Sequence, residues 1–476
     1  MLSYRKLAMR ALGRPLHTGG GINLPRPASQ RAAAFILTAA MLTTLTAPAF
    51  AGTWYIENGD ITVKAGDTEG TNKVKQGDSD FVKDEGDTII TGTSNQNTVT
   101  IETEKKDDKV EVTLKDVNID ASSRNEAAVS VTGKGDTNIE LDGDNKLQSG
   151  SGHAGLEHNK TDTSGELTIQ DNDKNGSLKA AGGQYGAGIG GAGAANDAQV
   201  KITGGKITAT GGEYGAGIGG GFKGSGDVTI SGGEIHANGG NYGAGIGGGD
   251  YSSGKVTISG GEINATGGYL GAGIGGGEKG SGDVTITGGE ITSATGGKYG
   301  AGIGGGKEGR GDVTIEGNTE VNAAGGTGGA GIGGGYGAKN NSNSTGNQIT
   351  IRSNENGSPT VNAVGGGTKK GIADIGGAGI GTGSKSDANT AITLEGKVTI
   401  KATAGKGNVA IGTNGNEQVF TGLAGGTSIT RKDSDKNDIP PLPGDNVPTP
   451  SGGDTAGGGS AGGGSAGGGS TGGGSA

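Results

Sequence analysis

The chain has no cysteine among its 476 residues. That excludes disulfide staples, thiolate metal sites and a thiol nucleophile, and leaves its stability to packing alone. Large apolar residues are scarce too, at 29% hydrophobic and 3% aromatic with a single tryptophan. Such a composition rules out an ordinary globular core and, taken by itself, describes a chain that does not fold. Beyond residue 51 the only histidines are His153, His158 and His236, and the only arginines Arg124, Arg310, Arg352 and Arg431. Acid–base catalysis therefore has little to draw on. The longest apolar run, Ala32–Leu45, is too short to span a bilayer.

Glycine is what the chain has, 113 residues of it. Glycine loses more backbone freedom on folding than any other residue, so its repeated use needs a structural reason. The string GAGIGGG recurs unchanged at 215–221, 243–249, 271–277, 300–306 and 329–335. Its isoleucine, with the earlier copy, falls at 189, 218, 246, 274, 303 and 332, spacings of 28 or 29 residues. A fixed period of this length marks a solenoid. Each unit carries three short alternating segments separated by glycine turns, as in VTISGGEIHANGG at 228–240 followed by GAGIG. Alternation turns Val228, Ile230, Ile235, Ala237, Ala244 and Ile246 inward, and Thr229, Ser231, His236 and the intervening glycines outward. Three strands per 28 or 29 residues fit an all-β, right-handed parallel β-helix. Fainter copies at 110–120, 138–147, 166–183, 349–366 and 391–405 extend it to about ten coils, a rod about 50 Å long. The apolar columns are Val228/Val256/Val284/Val313, Ile230/Ile258/Ile286/Ile315 and Ile207/Ile235/Ile263/Ile291/Val321.

The rest of the chain divides around these repeats. Residues 1–51 hold six basic and no acidic side chains, then the apolar run and APAFA. They read as a signal peptide with no fold of its own, which implies a secreted or cell-surface protein of bacterial type. Its removal leaves 33 basic residues against 49 acidic ones, a charge of −16, which disfavours nucleic acid and anionic membrane as partners. Residues 52–97 read as an N-terminal cap, 98–412 as the β-helix, 413–439 as a C-terminal cap, and 440–476 as a linker, Pro-rich and then Gly/Ser-rich.

Three columns carry candidate sites. Tyr185, Tyr214, Tyr242 and Tyr299 precede their marker isoleucines by four residues, with Leu270 in the same place and Tyr269 one position off. Such a column suits a platform on which sugar rings stack. The bland alternative is core packing, because the tyrosines share parity with the inward alanine and isoleucine. Glu234, Glu262 and Glu290 form a second column, with Lys206 above and Glu320 below. Stacked carboxylates bind a divalent cation or splay into solvent. The T-x-[S/T] column, Thr229/Ser231 onward, is broken by Lys201 and Glu316, which argues against ice binding, and HAGLEH at 153–158 offers two histidines that need not converge on a metal.

The blocks VEVTLKDVNIDASSRNEAAVSV, NIELDGDNKLQSGSGHAGL and GELTIQDNDKNGSLKAAGGQYGAGIGG resemble bacterial secreted carbohydrate-binding β-helix proteins, a non-catalytic surface family. The likeness spans roughly 98–412. It implies polysaccharide or glycan binding with Ca²⁺ as a candidate cofactor and no enzymatic activity, and it assigns no ligand residue. The alternatives are a pectate-lyase-like lyase or glycoside hydrolase, and a structural surface stalk.

Overall fold

A computed structural model describes residues 52–445, apart from 87, 162, 195–196, 341–344 and 368–375. The expected signal peptide and the linker beyond residue 445 lie outside the described residues. No helix among those described is long and apolar enough to cross a membrane.

The middle of the chain repeats one plan. Gly226–Ile230, Glu234–Asn238 and Ile246–Gly247 make one coil, and Gly254–Ile258, Glu262–Thr266 and Ile274–Gly275 the next. Each strand pairs in parallel with its counterpart one coil on: Val228 with Val256, Ile235 with Ile263, Ile246 with Ile274. Among the described residues the first two strands of each of these repeating coils join one 23-stranded sheet and the third a 15-stranded sheet, closing a right-handed parallel β-solenoid of about eleven turns. The third strand is only Ile-Gly, shorter than alternation suggests.

The apolar columns stand where the period places them. Val228, Ile230, Ile235, Ala244 and Ile246 are fully buried, and their counterparts continue the cluster along the molecule. Each buried valine or isoleucine contributes roughly 1.5–3 kcal/mol of apolar transfer, and the ladder bonds satisfy the main chain between coils.

The glycines correct the sequence reading. They do not form a smooth outer side: residues 215–221 and 243–249 are buried throughout. Gly247 has φ +128°, and a Cβ there would land on the carbonyl oxygen of Gly275 in the next coil. Glycine permits both the left-handed conformation and the close approach of one main chain to the next. Coils of 28 and 29 residues coexist because an extra residue stays local. Glu290–Thr295 carries one more residue than Glu262–Thr266, the register shifts after Ile263, and Thr292 Oγ1 donates to the Ile263 carbonyl at 2.8 Å.

The ends differ from the expected boundaries. Thr53–Tyr55 and Ile61–Ala65 already pair in parallel with the strands of the following coil, so the solenoid starts before residue 98. The cover at this end is the antiparallel pair Thr71–Gln76 and Val82–Glu85. At the other end Ser428–Lys432 lies parallel on Thr399–Thr403, and the cap reaches past residue 439 to Asp445. Asp445 accepts from Arg431 Nη1 at 2.7 Å and from the Phe420 amide at 3.0 Å, closing over the buried Phe420 ring.

Candidate functional site

Seven of the nine tyrosines gather at one corner of the solenoid, between the second strand of a coil and the first strand of the next. Two columns meet there. One runs Tyr185, Tyr214, Tyr242, Leu270, Tyr299. The other runs Phe222, Asp250, Glu278, Lys307, Tyr336. They are stitched by main-chain bonds from Phe222 N to Tyr185 O, Asp250 N to Tyr214 O, Glu278 N to Tyr242 O, Lys307 N to Leu270 O and Tyr336 N to Tyr299 O, all at 2.8 Å. The tyrosines occupy turns, where strand parity no longer assigns a face. Tyr185 and Tyr269 are exposed, Tyr214, Tyr242 and Tyr299 half-buried, and Leu270 alone is buried.

The rings do not form the open platform that the column suggests. Tyr185 and Tyr214 stack at 5.2 Å with planes 9° apart, and Tyr214 and Tyr242 at 5.0 Å and 11°. Phe222 stands edge-on to Tyr185 and Tyr214 at 5.7 and 5.4 Å. The inner faces of this stack are therefore covered by neighbouring rings. Leu270 interrupts the stack, and the aromatics resume with Tyr269, Tyr299 and Tyr336 in edge and tilted contacts at 5.6 and 5.1 Å. The rings of this corner most open to solvent are Tyr251 and Tyr269, at 52% and 51% exposure. Lys279 Nζ sits 4.5 Å over the Tyr251 ring, and Lys298 Nζ 5.4 Å over Tyr269 and 5.0 Å over Tyr299. Sequence reasoning missed Tyr251 and Tyr336. Their signal is their place directly after GAGIGGG or one residue later.

Where Phe222 fills the second column, the next coils place Asp250, Glu278 and Lys307. Lys307 Nζ reaches Glu278 Oε1 at 2.8 Å. Asp250 is 2% exposed, and its Oδ1 is buried with no hydrogen-bond partner. Burial, then the neighbouring Glu278 carboxylate, pushes its carboxyl up to about 7.

The glutamate column exists as a register, Lys206–Glu234–Glu262–Glu290–Glu320. Lys206 and His236 hold Glu234 at 2.9 and 3.0 Å and keep it below the usual carboxylate range. The three glutamates are not brought together as a metal cluster. The carboxylates that converge among the described residues are Glu140, Asp171 and Asp173, with oxygens within 4.8 Å of one another. These already accept from Asn172, Asn175 and Gly176, and three carboxylates fall short of the ~6–8 oxygens of a Ca²⁺ shell. The histidines of HAGLEH do not converge. His153 Nδ1 lies 2.8 Å from Glu157, which raises its pKa, whereas His158 is buried against the carbonyls of Val131 and Gly165, and burial lowers its pKa.

Away from the corner, a cavity of about 750 Å³ lies beside the N-terminal antiparallel strands. Its Lys and acidic side chains pair with one another, Lys64 with Glu102 at 3.0 Å and Lys73 with Asp67 at 2.6 Å, which is the chemistry of a solvated surface.

No curated protein and no solved structure matches the chain. Residues 200–222, 228–250, 256–278, 284–307 and 313–336 each match a family model described as a beta helix repeat. Each of the five segments starts within the first strand of its coil and ends on the residue after GAGIGGG, so the repeat in the sequence keeps step with the turn in the structure, and residues 200–336 are beta helix repeats within the parallel β-solenoid.

Proposed function

We propose that the protein is a secreted or cell-surface, non-catalytic module that binds glycans along its aromatic corner. The observation that carries this reading is the concentration of seven tyrosines and Phe222 on one corner of a chain with 3% aromatic residues. Open rings beside lysines and carboxylates match the two surfaces of a sugar, apolar C–H faces and hydroxyl edges. Because the Tyr185–Tyr214–Tyr242 stack covers its own inner faces, ring stacking falls to Tyr251, Tyr269 and the outer face of Tyr185, and the rest of the stack contributes hydroxyls and edges. Contacts repeated over successive coils sum weak interactions into useful retention. The basic, apolar leader supports export, and the likeness to secreted carbohydrate-binding β-helices supports the ligand class.

Affinity electrophoresis in gels containing soluble polysaccharides, with and without chelator, tests the reading. The double variant Tyr251→Ala/Tyr269→Ala is expected to lose at least ~10-fold in retention while keeping its circular dichroism spectrum. Release of shortened products would replace the module with an enzyme, and silence on every polysaccharide would leave a structural stalk. Retention that disappears with chelator would restore a role for Ca²⁺.

A further inference from the structure

Both aromatic columns stop at the same level. One coil before Tyr185 the first column holds Gly152, since Tyr185 N bonds Ser151 O. Beside it, the second column holds Gly193 before Phe222, with Gly193 N bonded to Gly152 O at 2.8 Å. Two ring positions are thus filled by glycine, and above Tyr185 and Phe222 lies a cavity of about 490 Å³. That volume is in the range of small-ligand sites, roughly 300–1,000 Å³. Tyr185 stacks on Tyr214 on one side only, so the cavity occupies the place of the next ring in the stack.

The walls change chemistry at the same level. In the coil above, Leu156 pairs with Ile189 and Glu157 with Gly190, so His153 and Glu157 stand at positions that are glycine in the following coils. Glu157 is 6% exposed and accepts from His153 Nδ1 at 2.8 Å, Ala154 N at 3.2 Å and Asn159 Nδ2 at 3.0 Å. A carboxylate has about four lone-pair sites, so one acceptor remains, beside the second N–H of the Asn159 amide. This pair suits a hydroxyl, which donates to one group and accepts from the other. It does not suit a second carboxylate.

We infer that this cavity is an end-recognition pocket, in which an uncharged terminal sugar ring of a glycan completes the aromatic stack over Tyr185, with its hydroxyls on Glu157 and Asn159. This rests on the glycan-binding reading and adds to it a polarity and a ligand class: the chain end, not its interior, and a neutral ring, not a uronic acid.

Gly152 offers a direct test. A Cβ built there meets nothing closer than Asn125 Oδ1 at 3.8 Å, so the backbone tolerates a side chain. Gly152→Tyr extends the stack by one ring and plugs the pocket, and His153→Ala removes a wall without adding bulk. Soluble gluco-, xylo-, manno- and galacto-oligosaccharides, and versions ending in a uronic acid, are titrated calorimetrically against the full chain and both variants. The expected result is binding of at least one neutral-ended series by the wild type, at least ~10-fold weaker in both variants, with the uronic-acid-ended versions weaker than their neutral counterparts. Folded variants that bind neutral ends like the wild type, or tighter binding of the uronic-acid ends, overturn the pocket and leave the glycan module standing. A wild type that binds neither these oligosaccharides nor any polysaccharide overturns both.

Discussion

At the scale of single residues, Asp250 combines burial, an unpartnered oxygen and a like-charged neighbour. A carboxyl with pKa about 7 in the folded chain and ~3.9 when unfolded holds its proton more tightly folded. Its stabilisation is therefore complete below pH ~4 and drains away as pH rises to about 7, by an amount of the order of 4 kcal/mol. Asp250→Asn should leave the thermal midpoint unchanged at pH 4 and raise it at pH 8, read by differential scanning calorimetry. A difference between variant and wild-type midpoints that stays the same at both pH values would contradict the placement. Asp445 has the opposite sign. Burial alone would raise it, but the Phe420 and Leu442 amides and Arg431 hold it below the usual range. Its contribution is present above pH ~4 and lost as acid protonates it.

At the scale of the strand and turn, glycine positions separate into two kinds that look alike in the sequence. Gly247→Ala would force a side chain into a left-handed conformation and onto the neighbouring carbonyl, a cost of roughly 3 kcal/mol or more. Gly152→Ala meets open space and should leave the thermal midpoint within error, so the pair makes an internally controlled measurement. The same contrast shows what was legible beforehand. Period and alternation located Val228, Ile230, Ile235 and their columns, because a buried strand side chain needs only its parity to be placed. The Tyr185, Tyr242 and Tyr299 side chains sit in turns, where orientation depends on inter-coil bonds such as Asp250 N to Tyr214 O. Their exposure and mutual stacking were out of reach, as was the burial of glycines that carry no side chain to betray a face. The Glu140, Asp171 and Asp173 carboxylates also meet only through coil-to-coil stacking. QDND alone shows two of them.

At the scale of the whole molecule, each coil touches only its neighbours, so coils are removable units. Deleting residues 228–255 joins Asp227 to Val256 and restores Val200-type pairing one coil on, since Val228 pairs with Val200 above and Val256 below. The variant should keep the β-sheet circular dichroism of the parent and shorten by about 4.8 Å in small-angle scattering. Capping is less forgiving. The Arg431 and Asp445 side chains are 3% and 0% exposed, and Asp445→Ala leaves the buried guanidinium only the Glu417 carboxylate at 3.5 Å and the Gln418 carbonyl, a cost of roughly 1–3 kcal/mol. Limited proteolysis should then open the chain first near residues 413–439.

The bulge at Thr292 bears on how far disturbance travels. The surplus residue leaves the ladder inside its own strand, and by Ala294 opposite Ala265 the count is restored. A miscounted coil is thus forgotten within one step of the staircase. A short epitope grafted opposite Ile263 would ride on the rod as a passenger, and every step above and below would keep its address.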